Sequence, residues 1–178
     1  MRAAGLACRR HPANLDEAAI RRRLRGLGAA RAARALAEAK AEAVSRRRPG
    51  AVVVGADQIL VQGRRWFEKP GTKARAAADL RLLSGRVHTL VSAVAVARDG
   101  RCLWSHVVPA RLTMRRLSPA EIDSYLRAAG PSALAAVGAY EIESVGVGLF
   151  ERVEGDYFAV LGLPLLPLLA YLRRAGLR

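Results

Sequence analysis

Asp57 is a carboxylate in a setting that resists one. Val52, Val53 and Val54 lead into it, and Ile59-Leu60-Val61 resume the apolar run directly after it. A β-branched run broken by Gly55 reads as a buried strand over 51–54 that reaches the end of a sheet. A turn at Asp57 and a second strand over 59–62 would come next. An ionised Asp in such a place is costly unless it meets a cation, a metal or dedicated hydrogen bonds. Lys69 lies further on, in EKPGT. A strand-end Asp and a Lys beside a Pro-Gly turn suit a phosphate or metal site, because loops at sheet ends commonly hold ligands. Asp57 as a turn cap and Lys69 as a solvated surface residue are the competing readings.

The basic residues are 27 Arg and only three Lys, namely Lys40, Lys69 and Lys73. A planar guanidinium does not replace a compact ammonium at a site that needs one. Survival of Lys in a chain that otherwise uses Arg therefore hints at function, without saying at which position. Asp16-Glu17, Asp57 and Glu143 are candidates for holding a hard divalent cation. Mg²⁺ accepts one or two carboxylates plus substrate phosphate oxygens, so no tight spacing is required. Solvated loop acids are the alternative for Asp16 and Glu17. His11, His88 and His106 have no metal-like spacing, and no chemistry is assigned to them. No hydroxyl sits in a nucleophile elbow, and no Gly-rich phosphate loop occurs.

These residues need elements to position them. A short strand is expected over 6–12 and a loop over 12–17. The Ala-rich segment 29–47 carries Leu36, Ala39 and Ala43 at helical spacing. Thr72 is placed to cap a helix running to about Leu83. Two apolar runs, 86–98 and 102–115, are joined by Asp99-Gly100, a strong hairpin signal that takes in His88 and His106. Ser118, Pro119 and Glu121 form a capping-box pattern, and Gly130 closes the helix they start. A strand is expected over 145–153. The run from Phe158 to Leu172 reads as a strand end, a turn and a core helix starting near Pro164.

Composition narrows the class. The 178 residues, 52% hydrophobic, fit one globular domain with a sizeable core, or two small lobes sharing a sheet, and argue against disorder. The net charge of +15 invites a nucleic-acid reading. However, the arginines are scattered, they look like the coding bias of a GC-rich genome, and basic-aromatic interleaving is missing. A cationic surface that attracts anionic substrates is the preferred meaning, with no dedicated nucleic-acid partner. Cys8 and Cys102 are too few and too far apart for a disulfide framework or metal cluster, so a cytoplasmic location is expected. GLAC, residues 5–8, lacks the apolar segment of a lipid-attachment signal. The run ending at Leu172 is broken by Gly162, Pro164 and Pro167 and is too short for a membrane span.

In order along the chain stand PANLDE, LAEAKA, VVVGADQILV, EKPGT, LRLLSGRVHTLVSAVAV and VGAYEIESVGVGLFERVEGDYFAVLGLPL. Together they resemble the Maf family over essentially the whole chain. The resemblance implies an α/β fold: a mixed, elongated sheet flanked by helices, with two lobes and a central cleft, as in Maf and inosine triphosphatase-like proteins. It implies a homodimer that hydrolyses a nucleoside triphosphate to the monophosphate and pyrophosphate, with Mg²⁺ or Mn²⁺. By motif, Asp57 is the catalytic carboxylate, and Lys40, Lys69 and Glu143 belong to the catalytic set. Lys40 and Lys69 would face the triphosphate, and Glu17 and Asp57 would hold the metal. GADQ and Glu143 lean towards the 7-methyl-GTP branch, whereas GAY and GDY resemble the branch acting on dTTP and UTP.

Family members begin with a strand and a Ser-x-Ser-x-x-Arg-Arg loop that grips phosphate, and the stretch RAAGLA resembles the segment just after that loop. The expectation is one Maf-like domain over 1–178, shortened at its N-terminus. Its alternative function is that of an inactive remnant serving as a nucleotide-binding or cell-division regulator.

Overall fold

The computed structural model describes residues 7–177. The helices are α1 (Glu17–Leu24), α2 (Ala29–Arg46), α3 (Lys73–Leu83), α4 (Pro119–Ala129), α5 (Ser132–Ala135), α6 (Tyr157–Val160) and α7 (Leu165–Arg174). The strands are β1 (Val53–Gln62), β2 (Arg65–Phe67), β3 (Val87–Arg98), β4 (Arg101–Met114) and β5 (Phe150–Glu154). They form one sheet in the order β2-β1-β3-β4-β5. Its pairings are antiparallel, as between β1 and β2 and between β4 and β5. The expected class holds: α/β, a sheet flanked by helices.

Several local signals act as read. Asp99 and Gly100 both take positive φ, 51° and 78°, which a two-residue type I′ link between β3 and β4 demands. The Thr72 hydroxyl accepts from the Arg75 amide and starts α3. Ser118 and Glu121 close a reciprocal capping box on α4. Three expectations need correction, and a fourth holds nearly to its end. The strand expected over 6–12 begins at Leu6, outside the described residues, and 7–16 carry no regular structure. The loop expected over 12–17 holds as far as Asp16, whose carboxylate accepts from the Ala19 amide and caps α1, the helix that starts at Glu17. Residues 145–149 form a 3₁₀ segment, so β5 starts only at Phe150. There Gly146 lies directly on the Glu141 carbonyl, an approach that a side chain would forbid. The strand end expected near Phe158 is α6, capped by Asp156.

The chain divides into two compact units. One combines the segment ending at Gln58 with Ser92–Val108 and the segment from Gly162; the other combines Ile59–Val91 with Pro109–Leu161. In the first unit α2 buries a stripe of Ala32, Ala33, Leu36, Ala37, Ala41 and Val44. Its polar flank is tied to the hairpin: Glu38 accepts from the Ser105 hydroxyl at 2.7 Å, and Ser45 Oγ accepts from the Gly100 amide at 3.0 Å. From α7, Tyr171 stacks on Trp104 with ring centroids 4.7 Å apart, while Leu168 and Leu172 are buried.

The second unit packs Leu60, Phe67, Leu80, Leu83, Leu90, Leu112, Met114 and Ile122 into one core. A polar pair lies within it. His88 Nε2 and the Tyr140 hydroxyl are 2.8 Å apart, and His88 Nδ1 has no hydrogen-bond partner among the described residues. Burial lowers the His88 pKa to about 4, so the ring is neutral. A base whose folded pKa lies below its unfolded value binds more protons when unfolded. His88 therefore adds stability that is complete above about pH 6.5 and is lost as pH falls towards 4. The span corresponds to about 3 kcal/mol, at 1.36 kcal/mol per unit. Urea unfolding across pH 4–7 should show that slope, and His88→Phe should flatten it, since the Phe cannot titrate. An equal slope in the variant would assign the pH dependence to other groups.

Candidate functional site

Asp57 does not end a strand. It lies in the middle of β1, where Gly55, Asp57 and Ile59 share the buried side of the alternation. A Cβ at residue 55 would fall on the Ala37 carbonyl oxygen and lie 2.7 Å from the Ala41 amide nitrogen. Both obstacles are helix backbone and cannot step aside cheaply. The Gly thus lets β1 and α2 approach closely. Residues 37, 40 and 41 fall on one stripe of α2, so the same approach brings Lys40 to the strand two residues beyond Gly55. Its ammonium donates to Asp57 Oδ1 at 2.8 Å.

A second element closes the site. Asp16 sets the start of α1, which puts Glu17 and Arg21 one turn apart on the same face. Arg21 Nη2 spans the Asp57 carboxylate, 3.1 Å from Oδ1 and 3.2 Å from Oδ2. Glu17 Oε1 meets the Lys40 ammonium at 3.0 Å, and Glu17 Oε2 lies 3.9 Å from Arg21. Two carboxylates and two cations thus form one cluster, entirely within the first unit. Exposure is uneven: the Asp57 side chain is 2% exposed and that of Glu17 44%.

These contacts satisfy the cost of burying Asp57, since each ion is paired and hydrogen-bonded. Burial pushes the Asp57 carboxyl above its ordinary value. The hydrogen bond and charge of Lys40, then the charge of Arg21, pull it back, and the Glu17 charge adds to the rise. The net direction is upward, which makes the ionised form a better proton acceptor than a solvated carboxylate.

Lys40, Asp57 and Glu17 come together as the motifs implied. Lys69 is an exposed residue between β2 and α3, and Glu143 is exposed in the turn before the 3₁₀ segment; both belong to the second unit. Asp16 is committed to capping. Arg21 is the member that sequence reading missed. Its signal was present, an i, i+4 Glu-Arg pair behind an Asp N-cap, but Arg21 counted only among the scattered arginines of a cationic surface.

The donors also suit a hard cation. Two oxygen ligands converge on one ammonium, 2.8 and 3.0 Å away, and Mg²⁺ or Mn²⁺ favours such ligands. No group of three or more His, Cys, Asp or Glu gathers for a metal among the described residues. A cation here would take Asp57 and Glu17 from the protein and its remaining ligands from phosphate and water.

The family model described as Maf-like protein matches residues 1–175. The chain belongs to the Maf-like protein family. A protein of Nitrobacter hamburgensis named nucleoside triphosphate pyrophosphatase is 53% identical to this Maf-like chain over 174 residues, covering 98% of it and 86% of the relative. One from Mesorhizobium japonicum, named 7-methyl-GTP pyrophosphatase, is 51% identical over 175 residues, covering 97% and 88%. Another of that name, from Rhizobium etli, is 50% identical over 178 residues, covering 99% and 89%.

The cluster should respond as a coupled unit. Lys40→Met leaves a buried carboxylate with only part of its compensation, and should cost about 3 kcal/mol of stability at neutral pH. Adding Asp57→Asn to that variant should recover part of the loss, because the uncompensated charge is then gone. Urea denaturation of the two single variants and the double variant measures the coupling. Strict additivity would show that the ion pair contributes nothing.

Proposed function

We propose that this Maf-like chain is a nucleoside triphosphate pyrophosphatase, hydrolysing its substrate between the α and β phosphates to nucleoside monophosphate and pyrophosphate. The observation that carries the reading is Asp57, a buried carboxylate raised in pKa and held by Lys40 and Arg21. The names borne by relatives about half identical along nearly the whole chain support it. Those names cover nucleoside triphosphates in general and 7-methyl-GTP. The base accepted here is proposed to lie within that range, and GADQ favours the methylated substrate.

Hydrolysis of a phosphoanhydride needs a positioned water, an acceptor for its proton and cations to balance charge on the phosphates. Asp57 takes the proton from the attacking water. The anhydride bond breaks as the water oxygen bonds to phosphorus, and pyrophosphate leaves with the bridging electron pair. Lys40 holds Asp57 ionised and lends positive charge to the triphosphate, a role shared with Lys69. Glu17 stands with Asp57 as the metal-holding pair, and Glu143 helps place the water. A bound Mg²⁺ or Mn²⁺ would supply charge neutralisation and substrate orientation. The protein is further proposed to act in the cytoplasm as a homodimer. No described helix is long and apolar enough to cross a membrane, and its cationic surface suits an anionic substrate.

Incubation with a panel of nucleoside triphosphates and Mg²⁺ or Mn²⁺, then ion-exchange chromatography, should yield monophosphate and pyrophosphate. Orthophosphate with a diphosphate would refute the bond assignment.

Asp57→Asn should lower kcat by about 10²–10⁴-fold, the usual contribution of a general base, with the fold retained by circular dichroism. Near-normal turnover in that variant would remove Asp57 from the chemistry.

A further inference from the structure

Arg21 and a divalent cation have claims on the same carboxylate. Its Nη2 lies almost evenly across Asp57, 3.1 Å from one oxygen and 3.2 Å from the other. Lys40 instead uses only Oδ1 and spends the rest of its reach on Glu17. A cation bound at Asp57 can coexist with a contact on a single oxygen more readily than with a guanidinium placed across both. Two positive groups of that size would also repel strongly at contact distance in a poorly solvated site. Arg21 is the group that must yield.

Its mounting allows that. None of the residues of α1 is fully buried, and Ile20 and Leu24 are only half-buried where the helix packs, so α1 is held more lightly than the strand that carries Asp57. Asp57, by contrast, is carried by a strand whose neighbouring residues, Gly55 and Ile59, are buried. Glu17 keeps a contact with both cations and is the most exposed member of the cluster, which makes it the side by which an ion enters.

We infer that Arg21 gates metal loading: its guanidinium covers Asp57 until a triphosphate draws it away, so the divalent cation binds with the nucleotide and not ahead of it. The inference rests on the metal placement proposed above. A triphosphate carries several negative charges and offers the guanidinium alternative oxygen acceptors with which it pairs well. It thus lifts Arg21 from Asp57 and delivers the cation in one event. Such coupling would keep the carboxylate from holding a cation when no substrate is present.

Mn²⁺ binding without nucleotide, monitored by electron paramagnetic resonance, tests this independently of turnover. Arg21→Gln should bind Mn²⁺ about tenfold more tightly than the natural sequence, the order expected for removing one contact charge from a partly screened site. Arg21→Met, which keeps much of the aliphatic stem, should do the same. Arg22→Gln removes an equal charge from an exposed neighbour and should leave the affinity nearly unchanged. A non-hydrolysable triphosphate analogue should tighten Mn²⁺ binding in the natural protein much more than in Arg21→Gln. Asp57→Asn serves as the control for the site itself. Binding that depends on Asp57 but is equal with and without Arg21 would overturn the gate and leave the metal placement standing. Mn²⁺ binding that ignores Asp57 in every variant would overturn both.

Discussion

A carboxylate that is 2% exposed in the middle of a strand organises much of this molecule's first unit. Removing such a group from water carries a penalty of several kcal/mol unless counter-charges are delivered to it. Both deliveries come from helices. α2 brings Lys40 by lying against Gly55, and α1 brings Arg21 by starting at Asp16. The alanine stripe of α2 meets the same demand. Larger side chains at 37 and 41 would lift the helix off the strand and take the ammonium out of reach. The sheet side of α2 is therefore shaped by an electrostatic requirement as well as by the hydrophobic effect.

The cluster is balanced in charge, with two acids and two bases, but unbalanced in accessibility. Asp57 is closed off, Glu17 is open, and the two cations lie between them. Burial raises the proton affinity of Asp57 while the cations keep it within working range. A carboxylate of this kind suits an acceptor that must stay ionised near neutrality. The overall charge of +15 has a separate part in that chemistry. A diffuse cationic field raises the local concentration of a polyanionic nucleotide without specifying which one.

The second unit uses polar groups differently. His88 and Tyr140 are buried against each other and against Phe150, and Tyr125 donates to the carbonyl of Ala139. Ala139 holds a positive φ of 64° beside Gly138 at 77°, a conformation that costs energy for a residue with a Cβ. The hydroxyls of Tyr125 and Tyr140 hold this corner in place, so the turn carrying Glu143 leaves the core from a fixed base. His88, to which the sequence assigned no chemistry, has a structural task here.

The α/β class, α2, the Asp99-Gly100 hairpin, the Thr72 and Ser118 caps and the association of Asp57 with Lys40 and Glu17 were all legible in the sequence. Each depends on information that is local, on a recurring spacing or on an ordered set of motifs. Tertiary structure decided whether Asp57 stands within a strand or at its end. That depends on whether counter-charges arrive from elsewhere in the chain, and no local pattern around residue 57 records their arrival. Arg21 escaped notice for the same reason. One arginine among three in a row is distinguished only by the direction in which α1 turns it, and the cap at Asp16 and the packing of α1 on α2 set that direction. The first part of the strand expected over 145–153 gave way to a 3₁₀ segment with a close backbone contact at Gly146, which exists only once the turn from Glu141 has folded back. Sequence specified which groups were available for the cluster; folding selected among like residues by bringing distant backbone segments close enough for one ion to neutralise another.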